Sequence, residues 1–105
     1  VITVTNKRQC TTGEYIGRPS PLGNPYRLKP YGPYNRGETI NLYRAWLTEI
    51  WNKGGKNEQL NELFRLAEIE RNTNSLTLIC WCAPKPCHGN VIADFVRLIN
   101  GDTRE

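Results

Sequence analysis

Hydrophobic positions fall along the chain in six groups with two different periods. Val1 to Thr5 (VITVT) is rich in β-branched residues and predicts a short strand ending at Asn6-Lys7-Arg8. A second short strand is predicted at Glu14-Tyr15-Ile16, stopping at Gly17. Ile40, Tyr43, Trp46, Leu47, Ile50 and Trp51 then recur at three- and four-residue steps, the period of a helix with one buried face. Asn35 with Glu38 resembles a capping box at its start, and Gly54-Gly55 supplies its end. A second helix is expected from near Asn57, with Leu60, Leu63, Phe64, Ala67 and Ile69 on its apolar side and a break at Asn72 to Ser75.

Leu76 to Cys80 (LTLIC) is a continuous apolar run between polar turns, as expected of a strand covered on both faces. That favours a central, parallel position. Val91, Ile92, Phe95, Val96 and Ile99 mark a last helix from about Cys87 to Asn100, with Gly101 as its stop. The order β-β-α-α-β-α predicts a small three-layer, Rossmann-like α/β domain with a short, mostly parallel sheet. At 105 residues it is expected to be one domain, 1–105.

Between the second strand and the first helix lies GRPSPLGNPYRLKPYGP, residues 17–33, where five prolines and three glycines forbid a long helix. Tyr26, Leu28, Tyr31 and Tyr34 are expected to pack this loop onto the core. Arg18 places a guanidinium just after a strand, and Gly23-Asn24 allows a close approach of backbone or amide groups to a ligand.

Composition adds two constraints. A net charge of +4 and a pI near 9.0 mildly favour an anionic partner, a phosphate-bearing metabolite or nucleic acid. Apolar runs span only a few residues, against the roughly 20 that cross a bilayer, and no signal peptide is expected before Val1. No membrane partner and a cytoplasmic location are therefore expected. Three of the four cysteines crowd into Cys80 to Cys87, unlike a dispersed disulfide scaffold, and are read as reduced thiols.

These cysteines and the sole histidine carry the candidate chemistry. Strand alternation sends Cys80 and Cys82 to one side and Trp81 to the other. Pro84 and Pro86 stiffen the turn that returns Cys87 and His88 toward the strand's carboxyl end, the edge where ligands bind in open parallel sheets. A thiol at a helix N-terminus can be made nucleophilic, especially beside a histidine or Lys85. Cys80, Cys82, Cys87 and His88 are also zinc-type donors, but CxC followed four residues later by CH is not a two-knuckle spacing. No metal or other cofactor is assigned, and zinc is kept as an alternative.

YIGRPSPLGNPY, the helix containing Tyr43-Arg44-Ala45-Trp46-Leu47, and LICWCAPKPCHGNVIADF together resemble the domain-of-unknown-function 4326 family of small bacterial and phage proteins. The resemblance covers most of the chain and implies no established reaction or catalytic residues. The ending more distantly resembles an uncharacterised α/β family in which a CxE strand precedes a CHR helix start. Here Cys82 stands in place of the Glu and Gly89 in place of the Arg.

The leading expectation is a pocket at the sheet's carboxyl edge for an anionic, nucleotide-like ligand. Arg18, Gly23, Asn24, Cys82, Asn6 and Arg8 are its expected binding residues, with Lys7 and Lys85 as further charge. Cys87 and His88 are the catalytic candidates, for hydrolysis or group transfer. The alternatives are a nucleic-acid-binding module, zinc-stabilised or not, and a phage protein that modulates a host factor through its aromatic loop. In the phage case the location is the host cytoplasm.

Overall fold

Polar side chains at three junctions start the three helices. A computed structural model of the chain describes residues 1–9, 12–81, 83, 85 and 87–101. Asn35 accepts from the Glu38 amide at 2.9 Å while Glu38 accepts from the Asn35 amide at 2.9 Å, a reciprocal capping box that opens α1, Arg36–Lys53. Gly54, at φ +64°, closes it. Asn57 accepts from the Leu60 amide at 2.8 Å to open α2, Glu58–Thr73, which ends on Asn74 in the left-handed region. The helix ends inside the expected break, Asn72 to Ser75. Cys87 caps α3, His88–Ile99, its sulfur accepting from the Gly89 amide at 3.3 Å.

The strands are β1 (Ile2–Asn6), β2 (Glu14–Tyr15) and β3 (Leu76–Cys80). They form one parallel sheet in the order β1-β3-β2, so β3 is central. Val4 lies opposite Leu78, and Tyr15 opposite Ile79. The order of elements and the parallel sheet are as expected; β1 is shifted by one residue, and Cys87 precedes the last helix instead of opening it.

Ile2, Val4, Leu76, Leu78 and Cys80 share one sheet face and meet the helical core. Tyr43 and Leu47 of α1, Leu60, Leu63, Leu66 and Ala67 of α2, and Val91, Ile92, Phe95 and Val96 of α3 complete it. Ile79 is buried on the opposite face, under the backbone of Gly13. Phe64, expected on the buried side of α2, is half exposed and reaches Trp51 with a 6.3 Å ring separation.

At Gly89 an added Cβ would sit 2.8 Å from Val4 Cγ1 and 2.9 Å from Ile16 Cδ1. The missing side chain is what lets the first turn of α3 approach the sheet. Parallel strands and this close helix start bring the ends of β2, β3 and the start of α3 to one edge.

Candidate functional site

The long loop between β2 and α1 is ordered by its own bonds. Ser20 N–H donates to Gly17 O and Gly23 N–H to Ser20 O, both at 2.8 Å, giving two successive turns. Gly23 is bare because a Cβ there would lie 2.9 Å from the backbone N and Cα of Arg18. Arg18 Nη1 donates to Asn24 O at 2.6 Å, and Asn24 Oδ1 accepts from the Tyr26 amide at 2.9 Å. Leu22 is fully buried, and its carbonyl accepts a 2.6 Å bond from the hydroxyl of buried Tyr43. Lys29 N–H donates to Tyr34 O at 2.8 Å, closing the far end. The peptide bonds before Pro19 and Pro30 are cis.

Held this way, the loop walls a cavity of about 450 Å³ at the carboxyl edge of the sheet. Three guanidinium-bearing residues line it: Arg18, Arg27 and Arg36. Tyr15, Tyr26, Tyr31 and Trp81 supply aromatic surface, and Cys80, Cys87 and His88 line it from the end of β3 and the start of α3. No described lining residue is a carboxylate. The rim is tied by two further bonds, Trp81 Nε1 donating to the Tyr15 hydroxyl at 3.2 Å and that hydroxyl donating to Arg18 O at 3.1 Å. Lys7 Nζ stands 4.6 Å from the Tyr15 ring centre and 5.6 Å from that of Trp81.

His88 is buried and edge-on to Tyr43, with ring centres 5.0 Å apart. Its Nε2 meets Ile16 O at 2.8 Å. A carbonyl can only accept, so Nε2 carries the proton and Nδ1 the lone pair. Burial pulls its pKa below the ordinary histidine value; the bond to Ile16 opposes this and the charge of Arg18 adds to it. The imidazole is therefore neutral at physiological pH.

The sulfur of Cys87 does not point its bonds at His88. It takes the Gly89 amide and lies 3.2 Å from the sulfur of Cys80, which accepts from the Ala83 amide at 3.4 Å. Cys87 and His88 are adjacent in sequence, and the helix start turns their side chains to different neighbours.

Of the expected site residues, Arg18, Asn24, Cys87 and His88 are brought together on the cavity. Gly23 shapes the turn behind it. Asn6 lies off the lining, its amide donating to Trp81 O at 2.9 Å and Ala83 O at 3.0 Å while its Oδ1 accepts from the Arg8 amide. Arg8 is exposed and also off the lining, and Cys82 lies outside the described residues. Among the described residues no cluster of three or more His, Cys, Asp or Glu side chains is placed to hold a metal ion. Tyr31, expected to pack on the core, is 87% exposed at the cavity mouth.

Tyr15, Trp81, Arg27 and Arg36 are lining residues that motif reading passes over. Charge position along the chain carries the missing signal. Residues 1–36 hold six of the fourteen Lys and Arg but only one of the ten Asp and Glu. That one, Glu14, is paired with Arg65 at 2.7 Å.

Fold and site together define a small α/β domain with a loop-walled, cationic and aromatic pocket at the carboxyl edge of a parallel sheet. Among the described residues no helix is long and apolar enough to cross a membrane. The chain belongs to the family described as a domain of unknown function (DUF4326), whose profile matches residues 2–98. Neither a curated protein nor a solved structure matches it.

Proposed function

We propose that the pocket binds an anionic, nucleotide-like ligand. The observation that carries this is its lining: three guanidinium-bearing residues and four aromatic side chains around one concavity, with no carboxylate among its described lining residues. Guanidinium groups match phosphate oxygens in a planar, bidentate way, and aromatic faces suit a base. The domain is Rossmann-like in the sense that its ligand lies beyond the carboxyl ends of parallel strands. In this reading the protein acts in the cytoplasm, that of the host where it is phage-encoded, where nucleotides and reduced thiols coexist.

Chemistry at the bound ligand is hydrolysis or group transfer, with Cys87 as nucleophile and His88 as base. Amide donation from the helix start favours a thiolate at Cys87. A neutral His88 with its proton fixed on Nε2 keeps the Nδ1 lone pair for a proton. Calorimetric titration with the four ribonucleoside monophosphates, adenosine and inorganic phosphate tests the binding. At least one nucleotide binds more tightly than either fragment. Arg18→Ala weakens it about 10- to 150-fold, the loss of a charge-assisted bond worth about 1.5–3 kcal/mol, while the thermal transition persists. Unchanged affinity removes Arg18 from the site, and no binding by any nucleotide refutes the reading.

One feature favours the nucleic-acid alternative. Trp81, on the pocket lining, is 54% exposed beside Lys7, as a stacking surface for a strand would be. In that case an oligonucleotide binds far more tightly than any monophosphate, and its affinity falls steeply with salt.

A further inference from the structure

Two buried thiols meet at the pocket wall, one at the end of the central strand and one at a helix cap. Cys80 is 1% and Cys87 3% exposed, their sulfurs are 3.2 Å apart, and both line the cavity. A disulfide needs about 2.05 Å, so closure asks for a movement of about 1.2 Å along an existing contact. Each sulfur also receives a backbone amide, Gly89 N–H on Cys87 and Ala83 N–H on Cys80. Amide donation favours negative charge on sulfur, and the neighbouring S–H can share its proton with that charge.

We infer that Cys80 and Cys87 are a redox-active dithiol, oxidised by hydroperoxides to an intramolecular disulfide and reached through the pocket. The Cys87 thiolate attacks one oxygen of hydrogen peroxide, breaking the O–O bond to give a sulfenic acid and hydroxide. The Cys80 thiol then attacks that sulfur and expels the hydroxyl. In sum, two thiols and one peroxide give one disulfide and two waters, the peroxide taking both electrons. A dithiol reductant returns the pair to thiols. The disulfide removes the Cys87 nucleophile, so the same pocket is chemically silent when oxidised; this last consequence rests on the function proposed above.

Cys80, Cys82 and Cys87 fall between Arg71 and Arg97 with only Lys85, which precedes proline, between them, so trypsin leaves them in one peptide. The test therefore uses Cys82→Ala, with fragmentation of the same peptide from the unaltered protein as an independent readout. After hydrogen peroxide, then unfolding and iodoacetamide, the peptide is expected to have lost two hydrogens and to carry no alkyl group. Dithiothreitol restores two alkylatable thiols. Cys80→Ser ends instead in a sulfenic or sulfinic acid at Cys87. Two thiols still alkylated after peroxide overturn the inference, as does a Cys80–Cys82 link or an intermolecular disulfide. One equivalent of zinc that survives chelation and holds both thiols against peroxide also overturns it. The best-binding nucleoside monophosphate, at ten times its Kd, is expected to slow oxidation about tenfold by filling the route to the sulfurs. If a nucleotide binds without slowing oxidation, access through the pocket is refuted; if none binds, the functional reading fails while the peptide masses still decide the dithiol.

Discussion

Replacing Tyr43 by Phe removes one oxygen from the middle of the molecule and leaves the ring in place. That oxygen is the link between α1 and the pocket loop: it donates at 2.6 Å to Leu22 O, and both residues are fully buried. Without it the Leu22 carbonyl stays out of water with no donor from α1. The penalty is desolvation of a buried acceptor, about 1–3 kcal/mol, with almost no cavity cost because the aromatic volume is kept. Burial, and secondarily Cys87, pushes the Tyr43 phenol far above its ordinary range, so the donor is present at any workable pH. At about 4–8 °C per kcal/mol for a domain near this size, Tm falls by about 4–24 °C. Urea unfolding followed by tryptophan fluorescence is expected to show a lower midpoint at an unchanged slope. Native-state hydrogen exchange should quicken most at the Gly23 amide, which closes the neighbouring turn on Ser20 O. A loss below about 0.5 kcal/mol would refute the reasoning, because the carbonyl would then have to be reached by water.

The buried His88 makes stability depend on mild acid. Its folded pKa is lowered, so as pH falls the unfolded chain takes the proton first, and stability is lost below the ordinary value of about 6.5. Urea midpoints at about pH 7.5 and about pH 5.5 should differ clearly for the unaltered protein and much less for His88→Gln; equal differences would count against the assignment. Asn57→Ala deletes the 2.8 Å cap on the Leu60 amide and is expected to cost about 0.5–2 kcal/mol by chemical denaturation. Gly89→Ala drives a methyl into Val4 and Ile16 and should destabilise by about 1–3 kcal/mol despite alanine's better helix propensity, so a more stable variant would show that the helix start is not close-packed.

The elements were legible because each is stated twice in the sequence, by a period and by a boundary residue. Asn35 with Glu38, Asn57, Gly54 and Asn74 bracket helices whose apolar spacing already declares them. The unbroken apolar run of β3 likewise encodes its central place, since Leu78 and Ile79 are buried on opposite faces. Phe64 misleads because spacing gives a face but not its width: Leu60, Leu63 and Ala67 fill the seam, and Phe64 at its edge is half exposed with its ring 6.3 Å from that of Trp51. Tyr31 misleads differently. An aromatic residue in a proline-rich loop reads as an anchor, but the anchors are Leu22 beneath Tyr43 and the turns around it, which leave Tyr31 outward.

The site was legible only along the strand ends. Parallel order places whatever follows β2 and β3 at one edge, which is why Arg18, Cys87 and His88 could be assigned to it. Which side chains then touch depends on contacts far apart in sequence. Cys87 and His88 are adjacent yet serve different partners, whereas Cys80 and Cys87, seven residues apart, have sulfurs in contact. His88 answers to Ile16, just past the end of β2, and that bond fixes its proton as no local motif would. Arg27 and Arg36 reach the pocket because the loop doubles back before α1 begins, a path set by Tyr43 and Leu22 and by the Lys29–Tyr34 closure. The positive lining thus depends on the loop's fold more than on the sheet, and Tyr43→Phe, which leaves every guanidinium in the chain, should weaken the nucleotide binding proposed above as well as stability.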